Sequence, residues 1–413
     1  MALQSDELID DLVPELVALR RDLHAHPELA FEERRTAGIV AAALRVLGLE
    51  VTEGIAGTGV IGTLRHGSSR RAVGLRADMD ALPIAELSRF AHASRHAGVH
   101  HGCGHDGHTA MLLGAAQQLA RTRRFDGTVH FIFQPAEEGR GGARVMVEQG
   151  LFERFPCDAV YALHNWPELP LGQAQTRLGP IMAAADRFDI MLRGRGGHAA
   201  QPHLTPDVLL AASQLVVQLN TLVARRIDPA ASALLSVTRV AGGNSHNVLP
   251  AEATITGTVR SFETEVQDRI EAALRDAAAG IALANGVQAE VTYHRYYPAT
   301  VNSEPEARLA LEAAAAAGLL ASVAPRPAFT SEDFAFLLRE RPGAYLWLGQ
   351  GRVAPGEGGE RSLHHPCYDF NDDALPLGVR WFCAVAERAC RPSGRTPITP
   401  GAQETAVRSR SAS

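Results

Sequence analysis

The chain has 413 residues, 46% apolar and 21% charged, with 40 Lys and Arg against 46 Asp and Glu for a net charge of −6. That is the make-up of an ordinary water-soluble globular protein, long enough for two or more domains. It has no long basic run, so neither nucleic acid nor an anionic membrane surface is an expected partner.

No apolar segment approaches the ~20 residues that span a bilayer. The N-terminus, MALQSDELIDDLVPEL, lacks the basic-then-apolar order of a secretory signal. Five scattered cysteines, Cys103, Cys157, Cys367, Cys383 and Cys390, do not read as a disulfide framework. Reduced thiols and a cytoplasmic location are therefore expected.

In chain order, residues 6–24 carry Leu8, Ile9, Leu12, Val13, Leu16, Leu19 and Leu23 at helical spacing. RRTAGIVAAALRVLGL predicts a second helix that ends near Gly48. RAVGLRAD, TVHFIFQ and DAVYALHN then read as buried strands, alternating with helices in TAMLLGAAQQLAR and ARVMVEQG. This alternation predicts a mainly parallel, helix-covered sheet of the α/β class.

From about residue 185 the pattern changes to longer, partly alternating strands in DRFDIMLRG, SALLSVTRVAGG, ATITGTVRSFE and VQAEVTYHRYYP. Two amphipathic helices near 206–223 and 264–285 lie among them, which suits a small α+β insert. After Pro298 the helix-rich, strand-poor character returns, through AYLWLGQG to a last helix near 372–390. The expected organisation is a catalytic unit over 1–184 and 299–392 with an insert over 185–298. A tail over 393–413, poor in apolar residues, is expected to be disordered.

Several polar clusters follow directly on apolar strands: LRADMDALP, FQPAEEG and LHNWP. HHGCGHDGH precedes a helix, and SLHHPCYDFND lies in a late loop. Open α/β sheets bind ligands outside the carboxyl ends of their strands, so distant clusters can converge there. Cys, His and Glu are ligand types that suit zinc and related metals. Cys103 and His105 alone read equally as an inert thiol beside a capping cluster; the other clusters change that. If Glu137 and Glu138 sit on extended backbone their side chains diverge, one towards a metal and one towards water. Metal-assisted hydrolysis needs that division between Lewis acid and general base.

Eight motifs occur in order: LRADMDALPI, GCGHDGHTAMLLGAA, FQPAEEG, LHNWPELPLG, GRGGHAAQPH, NVLPAEATITGTVRSF, SEDFAFLLRERPGAY and SLHHPCYDFND. Together they resemble the hippurate hydrolase and N-acyl-L-amino-acid amidohydrolase branch of the aminoacylase/carboxypeptidase-like metallopeptidases. Plant auxin-conjugate hydrolases belong to the same branch. The match runs from about residue 12 to about residue 390.

The resemblance implies hydrolysis of N-acyl amino acids at a site holding two divalent metal ions. Zinc, manganese, nickel and cobalt all suit such mixed ligands. It implies that Cys103 bridges, that His105 and His164 complete one metal, and that Glu138 and His364, rather than His365, complete the other. Glu137 would be the general base, passing a proton from the attacking water to the leaving amine. Asp78 would orient a ligand histidine.

His198 would stabilise the oxyanion, often in a partner subunit's site, and Asn247 and Arg260 would grip the substrate carboxylate. The insert is implied to act as lid and dimerisation domain, making a homodimer or higher homo-oligomer. Asp106 is expected to cap its helix or support a ligand, and His108 to be structural; His100 stands where family members often carry methionine. Two other readings stand beside this one. One is a metal-free thiol hydrolase using Cys103, and the other a non-catalytic metal- or ligand-binding dimer.

Overall fold

The computed structural model describes residues 9–351 and 362–391. The expected tail lies outside the described residues. The strands, in chain order, are β1 (Glu50–Ile55), β2 (Gly59–His66), β3 (Ala72–Asp78), β4 (Gly127–Gln134), β5 (Ala159–Trp166), β6 (Gln173–Thr176), β7 (Gly179–Met182) and β8 (Ala184–Arg193). They continue with β9 (Gly197–His198), β10 (Ala233–Gly242), β11 (Val248–Leu249), β12 (Glu252–Ser261), β13 (Gln288–Tyr297), β14 (Thr300–Asn302), β15 (Leu320–Val323) and β16 (Gly343–Gly349).

The large sheet runs β1-β2-β4-β3-β5-β16-β6-β15. Its centre is parallel: β4, β3, β5 and β16 pair in one direction, with Asp78 opposite Gln134 and His164 opposite Trp347. The hairpin β1–β2 and the β6–β15 pair flank this centre in antiparallel fashion. Val73, Leu75, Val129, Phe131, Tyr161 and Leu163 face one apolar cluster, shared with the helix His105–Thr122. Ile132, Val160 and Ala162 face a second cluster with Met146 of the helix Gly142–Glu148. Both faces are buried, so these strands read as continuous apolar runs and not as alternating ones.

A second sheet, β10-β12-β8-β13, is wholly antiparallel. Two helices, Val208–Arg226 and Thr264–Asn285, cover one of its faces and bury a separate core of Phe188, Ile190, Leu215, Leu219, Ile255, Val259, Ile270 and Leu274. Asp207 starts the first of these helices by accepting hydrogen bonds from the N–H groups of Leu209 and Leu210. The fold class is as expected: a mainly parallel, helix-covered sheet into which a smaller α+β unit is inserted.

Three expectations need correction. Among the described residues the apolar periodicity over 6–24 is not one unbroken helix: Ile9 and Asp10 are helical, Asp11 and Leu12 form a turn, and the helix Val13–Ala25 follows, with a proline in its first turn, where a missing N–H costs least. The segment after Pro298 is less strand-poor than its composition indicates, since β14, β15 and β16 all fall there. β14 and β15 are only 3 and 4 residues long, too short to leave a periodic signal. Finally, the helix Val208–Arg226 is 19 residues long with mean hydropathy 1.4, enough to cross a membrane by length and composition, although 33% of that window is buried in the protein. Its buried residues, Val208, Ala211, Ala212, Leu215, Leu219 and Leu222, recur every three or four positions against the small sheet, as in an amphipathic surface helix.

Candidate active site

The carboxyl ends of the parallel strands β4, β3 and β5 deliver the site's side chains to one place. β3 ends at Asp78 and runs on into Asp80, β4 runs into Pro135-Ala136-Glu137-Glu138, and β5 carries His164 and Asn165. The loop with Cys103 meets them from the start of the helix His105–Thr122. Gly104 lies between Cys103 and His105 at φ +90°, in the left-handed region. A Cβ there would lie 2.5 Å from Asn165 Oδ1, so only glycine lets the thiol and the imidazole turn to the same side.

A cavity of about 460 Å³ opens over these groups, lined by Cys103, Glu137, Glu138, His164, Arg260 and His364 together with Trp166, Met182, Tyr296 and Leu363. Several groups of ligand atoms lie within 4.8 Å of one another, among them Cys103, His105 and His164; Cys103, Glu138 and His364; and His105, Glu137 and Glu138. Cys103 belongs to the first two. Its Sγ lies 3.4 Å from His164 Nε2, and His364 Nε2 lies 3.4 Å from Glu138 Oε1. His365 is turned away, with its Nδ1 accepting from the N–H of Cys367.

The second nitrogen of each buried histidine sets the tautomer. His164 Nδ1 donates to the Asn165 carbonyl at 2.7 Å, leaving Nε2 as a lone pair towards Cys103. His105 Nδ1 lies 3.2 Å from Asp80 Oδ1, while its Nε2 is buried without a hydrogen-bond partner, as is Glu138 Oε1. Buried polar atoms in native proteins almost always have partners. Orphaned nitrogen and oxygen beside a buried thiol, each histidine braced on its far side, fit a divalent cation.

The electrostatics point the same way. Burial opposes charge on His105, but Asp78 and Asp80 outweigh it and raise its pKa to about 10. His164 is held neutral, by burial and then by His108. Burial, then Glu138 and Glu137, pushes the Cys103 thiol well above its ordinary value. A thiolate forms there only with a cation beside it, which leaves a metal-free thiol nucleophile poorly supported.

Glu137 is buried, and one of its oxygens accepts from the N–H of Asp333 at 3.3 Å. Burial, then Glu332, Glu138 and Asp333, raises its pKa well above the usual carboxylate range, so it is a carboxyl ready to hold a proton. The turn presenting it begins at Ala136, a non-glycine residue held at φ +57°. The buried Glu33 secures that turn: its Oε1 accepts from Ala136 N–H at 2.9 Å and its Oε2 from the Thr58 hydroxyl at 2.6 Å.

Two carboxylates divide the work expected of Asp78. Asp78 accepts from His108 Nδ1 at 2.6 Å and from Arg76 at 2.8 Å, and lies 3.7 Å from His105, too far for a hydrogen bond. Asp80 contacts ligand residues on both sides, with Oδ1 at His105 and Oδ2 accepting from the N–H of Glu138 at 2.9 Å. The histidine that Asp78 orients is therefore His108, whose Nε2 is in turn 2.6 Å from Asn165. Asp80 went unnoticed, although Asp-Met-Asp at a strand end places both carboxylates on one side of an extended chain. Asp80→Asn is expected to weaken metal binding by ~10–100-fold, read by competition with a chromophoric chelator. An unchanged affinity would mean that His105 needs no acceptor at Nδ1.

The remaining expected residues separate. Arg260, near the end of β12, lines the cavity. Its hydrogen bonds go to the Thr258 hydroxyl and the Val259 carbonyl, and among the described residues it has no carboxylate partner within ion-pair distance. His198 and Asn247 do not line this cavity. His198, on β9, is exposed and its Nδ1 accepts from the N–H of Ala200, and Asn247 accepts from the Ser245 hydroxyl. Arg76 is fully buried and donates to Gln134, Asp78, Glu332 and Asp333, a hub whose members all lie in the ordered motifs although the motifs give Arg76 no role.

The family model described as peptidase family M20/M25/M40 matches residues 74–388. The protein belongs to the M20 family. Hippurate hydrolase of Campylobacter jejuni is 38% identical over 91% of this M20 chain and 97% of its own length. An N-acetyl-L-cysteine deacetylase of Bacillus subtilis is 37% identical over 89% and 86%. The IAA-amino acid hydrolase ILR1-like 2 of Arabidopsis thaliana is 38% identical over 90% and 84%. The crystal structure of the Bacillus subtilis YxeP protein, described as a dinuclear metal-binding peptidase of this family, superposes with TM-score 0.81 at 34% identity, covering 92% of this chain and 99% of that one. The M20 protein is accordingly a metallo-amidohydrolase that holds divalent metal.

Proposed function

We propose that the protein hydrolyses the amide bond of N-acyl amino acids, releasing a carboxylic acid and the free amino acid. The observation that carries this is one cavity with three fittings: a buried carboxyl base at Glu137, a Cys/His/Glu donor set, and Arg260, which has no carboxylate within ion-pair distance among the described residues. The relatives named for hippurate, N-acetylcysteine and auxin conjugates share an amide whose nitrogen belongs to an amino acid or its analogue.

The donor sets suit two cations, one held by Cys103, His105 and His164 and the other by Cys103, Glu138 and His364. Bound there, divalent zinc, manganese, nickel or cobalt would polarise the scissile carbonyl and make water acidic near neutral pH. Glu137 takes the proton of the attacking water and returns it to the departing nitrogen. Arg260 grips the substrate carboxylate, which the planar guanidinium fork meets with two parallel hydrogen bonds, and Asn247, beside His198 where β9 pairs with β11, joins it from the partner subunit. Arg260 is half-buried and its pKa is lowered by burial, so an anion beside it would relieve that cost.

The insert over 185–298 serves as lid and as the contact between two subunits of a cytoplasmic homodimer. Leu210 and Val217 on the helix Val208–Arg226 and Val240 on β10 are exposed, an apolar display suited to a second copy. His198 then acts at the partner subunit's cavity, donating to the developing oxyanion.

The test combines chelation with a panel of benzoyl, acetyl, long-chain acyl and indole-acetyl amino acids. Activity is expected to vanish with the metal and to return on adding it back, and carboxylate-capped analogues are expected to be poor substrates. Activity that survives complete metal removal would sink the metallohydrolase reading. Mixing His198→Ala with Glu137→Ala subunits is expected to restore about a quarter of wild-type activity, since mixed dimers contain one intact site. No recovery after subunit exchange has been verified would place His198 outside the partner's site.

A further inference from the structure

We infer that the chain has a separate structural site for a divalent cation, formed by His24, Glu86 and His100, which shares no ligand with the catalytic cavity. The three come from different parts of the chain: the last turn of the helix Val13–Ala25, the segment after β3, and the residue bridged to Leu82 ahead of the Cys103 loop. Their ligand atoms all lie within 4.8 Å of one another, and both histidines are fully buried. His24 Nε2 is 3.5 Å from Glu86 Oε1, and His100 Nδ1 is 3.8 Å from Glu86 Oε2. Ligands of a tetrahedral zinc at ~2.0–2.1 Å stand about 3.3–3.5 Å apart, a spacing the His24–Glu86 contact already has and to which the other separations, all within 4.8 Å, would close.

The arrangement is hard to explain as a closed hydrogen-bond network. Neither nitrogen of His100 has a hydrogen-bond partner among the described residues, although the ring is buried. At 3.8 Å the nearest carboxylate is too far away to serve. Burial lowers the His100 pKa, so the ring is neutral and has a lone pair to offer.

The other two ligands are braced as metal ligands usually are. His24 Nδ1 pairs with Asp106 Oδ2 at 2.8 Å, which directs Nε2 at Glu86. Glu86 Oε2 accepts from the N–H of Ser94 at 2.6 Å, which holds the carboxylate between the histidines with Oε1 towards His24 and Oε2 towards His100.

The local field favours a cation. Burial opposes charge on His24, yet Asp106 and Glu86 outweigh it and raise its pKa to about 9. Burial likewise works against the Glu86 carboxylate, but the hydrogen bonds from His24 and from the Ser94 N–H hold it at about 2. A bound cation replaces the His24 proton and satisfies the orphaned His100 nitrogen in the same step. Asp106, which braces His24, directly follows His105, so the ion would tie the first helix and the segment after β3 to the start of the catalytic helix.

Anomalous diffraction at the zinc edge from wild-type crystals grown with zinc decides the matter directly. An anomalous peak between His24, Glu86 and His100 is the expected result. Density there without anomalous signal, as an ordered water would give, overturns the site. In solution, elemental analysis of zinc-equilibrated protein should find one equivalent fewer in His100→Met and in Glu86→Gln than in wild type, with amidohydrolase activity retained. Equal zinc content in wild type and in a folded variant would also overturn it.

Discussion

Glu137→Ala is expected to lower kcat by about 10²–10⁴-fold while the bound metal equivalents stay at the wild-type value. The carboxyl is buried at the cavity wall and belongs neither to the Cys103, His105 and His164 set nor to the Cys103, Glu138 and His364 set, although it stands within ligand spacing of His105 and Glu138; its loss removes the proton carrier and leaves those two donor sets in place. Glu137→Gln should fail nearly as badly, because the amide keeps the shape and the Asp333 contact but cannot take up a proton. Glu137→Asp keeps the charge and loses about one methylene of reach, and a small misplacement of a base is costly. Steady-state kinetics beside elemental analysis tests all three. Near-wild-type turnover in Glu137→Ala would remove the base from the mechanism, whereas loss of metal in that variant would recast it as a ligand.

Arg76→Met is expected to destabilise the fold by about 3–5 kcal/mol, the cost typical of leaving buried charge without its partner. The guanidinium donates to Gln134, Asp78, Glu332 and Asp333 inside the protein, and the Glu332 carboxylate is also bonded by the Tyr345 hydroxyl. Methionine fills the volume but leaves three buried carboxylates facing one another. Burial already holds the Asp333 carboxyl above its usual range with Arg76 working against it, so losing Arg76 raises its folded-state pKa further above the unfolded value and the penalty is largest at neutral pH and above. It should shrink as pH falls through that raised value and vanish below the unfolded value, near ~4. Urea denaturation of wild type and variant at pH 5 and pH 8 measures this. A gap that is equally wide at both pH values would show that packing, and not charge, is what Arg76 supplies.

The two variants probe layers of the site that were unequally legible in the sequence. Cys103, His105, Glu137, Glu138, His164 and His364 stand in polar clusters that interrupt apolar runs, and such interruptions are visible without coordinates. Arg76 was hidden because an arginine inside a strand motif looks like a solvent-facing residue until its four partners are seen. Glu33 was hidden for a related reason. Its partners, Thr58 and Ala136, are 25 and 103 residues away, and one of them contributes only a backbone N–H. Asp78 has an expected role and Asp80 has none, because those roles depend on which imidazole lies within about 3 Å, and two residues on the same strand end cannot be told apart by spacing.

The sequence by itself determined the alternation of strand and helix, the inserted α+β unit and the chemical identity of the donor set. These rest on local periodicity and on residue type, which the chain carries wherever it folds. Only the tertiary structure decided that Cys103 lies between two sets of donors, that Asp80 is the carboxylate on His105, and that Arg260 reaches the cavity while His198 and Asn247 do not line it. Those facts depend on parallel strands β4, β3 and β5 lying side by side in an order unlike their order in the chain. Distances of 2–4 Å between residues far apart in sequence come from that packing, and no spacing rule encodes them.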